Sequence, residues 1–187
     1  MKMLPYSSGF TLLELVTTIA ILGIVMMLAM PDADEILGNN RLSTGGNDMV
    51  AAMQFARSEA IGANAAATLC KSNSDYTNCT TSGGWHQGWI IFTDPDRDAN
   101  VDTGEEILQI HDDLHDSITI YGTSGVTDAI TFRASGNTSI SSTQVMVLCD
   151  ARGFGDDAKG LVISILGRAS LLPAASTGQT TCLVPES

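Results

Sequence analysis

The sequence predicts an α+β protein: a long N-terminal helix, one half transmembrane and the other amphipathic, packed on an antiparallel β-sheet or sandwich head. Three observations predict it. An apolar run extends from Phe10 to Met30 with one strongly polar side chain, Glu14. A stretch of helical periodicity follows around residues 49–65. From Ala66 onward, short β-branched runs recur between Gly, Asn, Asp and Ser.

As a helix rising about 1.5 Å per residue, residues 10–30 reach about 31 Å, close to the ~30 Å hydrocarbon core of a bilayer. A carboxylate inside such a helix costs about 3 kcal/mol or more unless it finds a partner. Near a helix start it also gains from the dipole, so Glu14 reads either as an interfacial residue or as a functional group. The run is too long for a secretory h-region, and no A-x-A-like site follows it. Pro31 predicts an interruption, and "ILGNNRLSTGGND" predicts further breaks or frayed helix. Asn47 or Asp48 is the expected N-cap of a second helix, "MVAAMQFARSEAIGANA". Val50, Met53, Ala56, Ala60 and Ile61 share its sheet-facing side, with Arg57 and Glu59 towards solvent.

Expected strands are "AATLC", "WIIFTD", "EEILQI", "SITIYG", "AITFRASG", "TQVMVLCD" and "GLVISILG", and the tail "LLPAASTGQTTCLVPES" reads as irregular. The chain divides into residues 1–9, a leader; 10–30, an anchor helix; and 31–187, a globular head. Lys and Arg number 9 against 21 Asp and Glu, a net charge of −12. Loss of the leader removes Lys2 and no acid. This balance excludes a generic nucleic-acid or anionic-lipid surface.

"GFTLLEL" resembles the prepilin signature of type IV pilins and type II secretion pseudopilins. The resemblance implies cleavage between Gly9 and Phe10 by a prepilin peptidase, N-methylation of Phe10, and retention of the helix. It also implies that Glu14 pairs with the N-terminal amine of a neighbouring subunit, so that its cost in lipid is offset on assembly. Such a pair fixes register more than it stabilises. The implied partners are other pilin or pseudopilin subunits, the peptidase/methyltransferase and the inner membrane, with the head on the periplasmic side.

Cys70, Cys79, Cys149 and Cys182 form an even set in a chain with export features. Four cysteines allow three connectivities. A local bridge from Cys70 to Cys79 and a second pinning the tail through Cys149 and Cys182 are the expected pairs. No C-x-x-C spacing supports zinc. "FARSEAI", "LC", "GW", "IIFTDPDRD", "DTGEEIL", "ITFRASG" and "VISILGRAS" further resemble, in this order, the GspH/FimT branch of the same superfamily. That branch holds minor pilins and a minor pseudopilin. Some of its members bind DNA through basic residues near the C-terminus, but the tail after Gly167 holds Arg168 alone, with Ser170 nearby. DNA is therefore not the first expected partner, and a DNA-uptake or adhesion module at a pilus tip stays open as an alternative to a minor pilin, or a type II secretion minor pseudopilin, that acts by assembly.

No catalytic motif of the G-x-S-x-G or H-E-x-x-H kind occurs, and the chain is not expected to be an enzyme. His111 and His115 would share a face only if helical, and they read as part of a solvated loop. Trp85 and Trp89 read as packing residues rather than a stacking platform. "DPDRDANVDTGE" places Asp94, Asp96, Asp98, Asn100, Asp102 and Glu105 at calcium-loop positions one, three, five, seven, nine and twelve. Ala99 stands where such loops carry Gly, and the flanks read as strands. The alternative to calcium is an acidic hairpin loop kept apart by water. No cofactor is required by the remainder of the sequence.

Overall fold

The computed structural model describes residues 9–29 and 33–182. It divides into two compact units, Met1–Leu37 and Gly38–Ser187.

In the first unit, helix α1 spans Leu12–Ala29. Its start is set by Thr11, whose Oγ1 accepts the Glu14 N–H at 3.2 Å. Eighteen residues rise about 27 Å, a turn's rise or less short of the ~30 Å core of a bilayer. Among the described residues, no helix is long and apolar enough to cross a membrane. Met30 and Pro31, where the anchor was expected to end and kink, lie outside the described residues.

Helix α2 spans Ala33–Gly62. This corrects the expected break within "ILGNNRLSTGGND" and the expected cap at Asn47 or Asp48. The reason lies in packing, seen in the second unit. A Cβ on Gly46 would stand 2.7 Å from Leu171 Cδ2, and one on Gly45 would stand 3.1 Å from Leu114 Cδ1. The two glycines let the helix approach the side chains beneath it. Each costs the helix about 1 kcal/mol relative to Ala, a loss offset by the burial they permit.

Eight strands follow: β1 (Ala67–Lys71), β2 (Trp89–Thr93), β3 (Ile107–His111), β4 (Thr119–Gly122), β5 (Ala129–Phe132), β6 (Gln144–Cys149), β7 (Lys159–Ile163) and β8 (Ala169–Pro173). They form two antiparallel four-stranded sheets, in the orders β3-β2-β1-β5 and β4-β6-β7-β8. β8 corrects the irregular tail. It pairs with β7 from Ile163↔Ala169 to Lys159↔Pro173, across a turn closed by Gly167 at φ +74°. A glycine in that left-handed region is what a short hairpin loop requires.

The core joins α2 to both sheets. Leu42, Met49, Met53 and Ala56 of the helix cluster with Leu69 and Ile91 of the first sheet and with Met146, Leu148 and Leu161 of the second. Trp85 and Trp89 are fully buried in it. The Trp85 Nε1–H donates to Val126 O at 3.0 Å, and Trp89 stacks on His111 with ring centroids 3.9 Å apart. Arg57 does not turn to solvent as expected: its Nε donates to Gly136 O at 3.0 Å. Strand alternation leaves each sheet a second apolar face. Cys70, Ile90 and Phe92 lie on one, covered by Tyr76, Cys79 and Val101. Val145, Val147 and Cys149 lie on the other, covered by Phe154, Ala174 and Cys182.

Candidate functional site

Gly9 and Phe10 precede α1, and the Phe10 side chain is 77% exposed. Residues 1–8 lie outside the described residues. Glu14 occupies the first turn of α1, where a carboxylate is favoured by the helix dipole. Its side chain is exposed and forms no ion pair with any described residue. Thr11 and Glu14 have the S/T-x-x-E spacing of a capping box, a signal the sequence carried and the sequence reading passed over. The bond present is the one from the Glu14 backbone N–H to Thr11 Oγ1.

Disulfides join Cys70 to Cys79, with Cα atoms 5.6 Å apart, and Cys149 to Cys182, with Cα atoms 6.1 Å apart. Each ties down the segment that covers the outer face of one sheet. Lys71, beside the first bridge, is 2% exposed and lies 2.7 Å from Asp128 Oδ1. Its Nζ also donates to Thr81 O at 3.2 Å and Gly83 O at 3.0 Å. Two carbonyl acceptors and one counter-charge hold the ammonium, so this buried charge ties down the 72–84 loop. Nothing in the local sequence pattern announces the pair, because its members are 57 positions apart in the chain.

The acidic loop is organised around Asp94. Its Oδ1 accepts the backbone N–H groups of Arg97 at 2.7 Å and Asp98 at 3.2 Å. Its Oδ2 lies 2.5 Å from the Thr68 hydroxyl. That hydroxyl has one proton, which the carboxylate takes, so Thr131 Oγ1 at 2.7 Å donates back to Thr68. Asp94 is thus a buried carboxylate with its own donors. Of the six calcium-loop residues, Asp94, Asp96 and Asp98 bring carboxylate oxygens within 4.8 Å of one another. Asn100, Asp102 and Glu105 are not in that group; Asn100 Nδ2 donates to Asp98 Oδ2 at 3.1 Å, and Glu105 Oε2 accepts the Asp102 N–H at 3.0 Å. Ala99 takes φ +60°, the conformation for which such loops carry Gly.

His111 ends β3, and His115 lies in the following loop, where its Nδ1 accepts the Ser117 N–H at 3.2 Å. They do not share a helix face. A cleft of about 520 Å³ opens beside them, lined by Asn73, Tyr76, His86, Gln87, Asp113 and Asp116 among others. Burial pushes the His86 imidazole below its ordinary range, and the positive charge of Lys71 acts the same way. Its Nδ1 accepts the Ile120 N–H at 3.2 Å, which fixes the proton on Nε2. The Ser117 hydroxyl lies 2.9 Å from His115 Nδ1, on the exposed loop after β3.

Comparison with known proteins concerns both the N-terminal segment and the head. Residues 4–30 match the Prokaryotic N-terminal methylation motif. No curated protein matches the chain. Among solved structures, the type IV minor pilin FimU of Pseudomonas aeruginosa is similar in two crystal forms. One has a TM-score of 0.56 at 25% identity over 73% of this chain and 91% of that one. The other has a TM-score of 0.52 at 24% identity over 71% and 94%. Residues 46–167, more than half of the sequence, match the family described as Type II transport protein GspH, and the chain belongs to that family.

Proposed function

We propose that this chain is a minor, pilin-like subunit that acts by assembly into a type IV pilus, initiating or capping the filament. The observation that carries the reading is the union on one chain of an N-terminal methylation motif with a head that resembles a solved type IV minor pilin over 91% of that protein. A prepilin peptidase would cut between Gly9 and Phe10 and methylate Phe10. The apolar helix would hold the subunit in the inner membrane, head on the oxidising side where two disulfides persist. Glu14 would then meet the N-terminal ammonium of a neighbour. An acid in an apolar helix without a cation in its own described residues is favoured in the assembled state over the free one. The role is structural, not catalytic.

The family description favours one second reading, a minor pseudopilin of a type II secretion machine. No cofactor is part of either. Calcium enters as a proposal for the acidic loop alone, where Asp96 and Asp98 would supply oxygens beside Asp94, those of Asp98 exchanging their bonds from Asn100 for the ion.

Replacing Glu14 by Ala tests the assembly reading. Insertion is expected to persist, since the helix becomes more apolar, while incorporation into filaments falls. Wild-type incorporation of Glu14→Ala would refute the pairing. Scoring piliation, transformation and protein secretion in a deletion strain separates the two machines.

A further inference from the structure

The end of the head at the C-terminus of α2 carries a surface that the anchor and its glutamate do not account for. Four of the six arginines of the sequence, Arg57, Arg97, Arg133 and Arg168, gather there although the chain as a whole carries −12. Two turns bring them together. Gly136 (φ +79°) and Gly167 (φ +74°) stand so close that a Cβ on Gly167 would lie 2.4 Å from Gly136 O. Arg57 Nε donates to that same carbonyl at 3.0 Å, and the Thr138 N–H reaches Ile165 O at 3.0 Å. The two turns are therefore tied to each other and to α2.

Its centre is apolar. Ile61, Ile165 and Leu166 are 48%, 46% and 55% exposed. Gly136 sits beneath Ile61, since a Cβ there would lie 2.9 Å from Ile61 Cδ1. Arg97 and Arg133 line a shallow cleft of about 300 Å³ with Asn64, Pro95 and Ser135. The guanidinium groups of Arg97, Arg133 and Arg168 form no ion pair with any described residue. Apolar centre and arginine rim are the anatomy of a protein interface, and the planar fork of arginine suits carboxylates.

We infer that this platform docks an acidic loop of a neighbouring pilin-type subunit. The inference rests on the assembly reading and adds the second contact that an in-register filament needs beyond the helix core. Charge complementarity selects the occupant on the side of Arg57, Arg133 and Arg168, since Arg97 stands between Asp96 and Asp98. This chain carries such a loop itself: Asp112, Asp113 and Asp116 flank Leu114, which packs on Gly45 of α2. Along the helix that loop and the platform are separated by about 20 Å. A related subunit shifted along the helix axis would bring acid to arginine. A nucleic acid suits the platform less well. Its affinity needs many phosphate contacts, and the rim offers few guanidinium groups outside an ion pair.

A photo-reactive residue placed at Leu166 of the full chain, in cells that assemble the filament, tests the inference. The expected adduct is a subunit with a methylated N-terminus, joined through a peptide that holds at least two carboxylates. Arg97→Glu with Arg133→Glu should cut its yield about tenfold, and Arg97→Gln with Arg133→Gln should cut it less, with both disulfides intact in each. An adduct to DNA, an adduct to a peptide without carboxylates, or a yield unchanged by charge reversal would overturn it. A second photo-reactive residue at Leu15 reports the helix core separately. Adducts at Leu15 with none at Leu166 sink the platform alone, whereas none at either position sinks the assembly reading with it.

Discussion

Lys71 Nζ lies 2.7 Å from Asp128 Oδ1, with the lysine side chain 2% exposed and the aspartate 37% exposed. The contact is an ion pair rather than an aligned hydrogen bond. Removing one partner of a buried pair costs about 3–5 kcal/mol, less where one member reaches water. Lys71→Ala is therefore expected to lower the unfolding free energy of the full chain in detergent by about 2–4 kcal/mol. Asp128→Asn, which keeps an acceptor on a half-exposed group, should cost less. Urea titration reads both, and equal costs would contradict the assignment.

The two bridges close loops of different length, 9 and 33 positions. Chain entropy alone makes the longer worth about 1 kcal/mol more. Replacing Cys149 and Cys182 by Ser should destabilise more than replacing Cys70 and Cys79. Non-reducing peptide mapping of the native protein should return these two pairs, and a crossed pair would contradict the fold described.

Acid should weaken the head in two windows. His86 has a folded pKa below its ordinary 6.5 because burial disfavours the imidazolium. Its contribution is complete above 6.5 and is lost as pH falls through the folded value. Asp150 is held below 3.8 by the Arg152 guanidinium, so its contribution stands above 3.8 and is lost as pH falls through its own lower value. His86→Gln should flatten the upper part of the stability profile and leave the lower part. A variant that keeps both slopes would show that another group titrates.

Asp94 sets the stability of the acidic loop. Asp94→Ala strands the N–H groups of Arg97 and Asp98 and the Thr68 hydroxyl, for an expected loss of about 2–3 kcal/mol. Calcium, if the trio shares it, raises the unfolding temperature more than magnesium does, and Asp96→Ala abolishes the difference. Calorimetry with no shift at millimolar calcium leaves Asp94 as an anchor that needs no ion.

Most of the sheet was legible because short β-branched runs between turn residues are written locally; both faces are apolar, with Leu69, Ile91 and Met146 in the central core and Cys70, Ile90 and Val147 in the outer clusters. The course of α2 was not. Gly45 and Gly46 read as breakers, and only the approach of Leu114 and Leu171 from distant parts of the chain makes them packing positions. β8 was hidden by a run that ends in Pro173 and leads into an irregular tail, although Gly167 between two apolar runs is a hairpin signal. At the N-terminus, Glu14 stood out through its cost in an apolar run, and the Thr11 cap was legible but overlooked. The arginine platform was out of reach of any local pattern, since it joins α2, the loop after β2, the turn after β5 and the β7–β8 turn.

The central claim is that a leader is removed and the apolar helix kept for assembly. Intact-mass analysis of the protein from native membranes tests it most directly. The account predicts a chain beginning at Phe10 and carrying one added methyl group. A chain beginning after Ala29 or later, or one that retains residues 1–9 in the assembled filament, would contradict it.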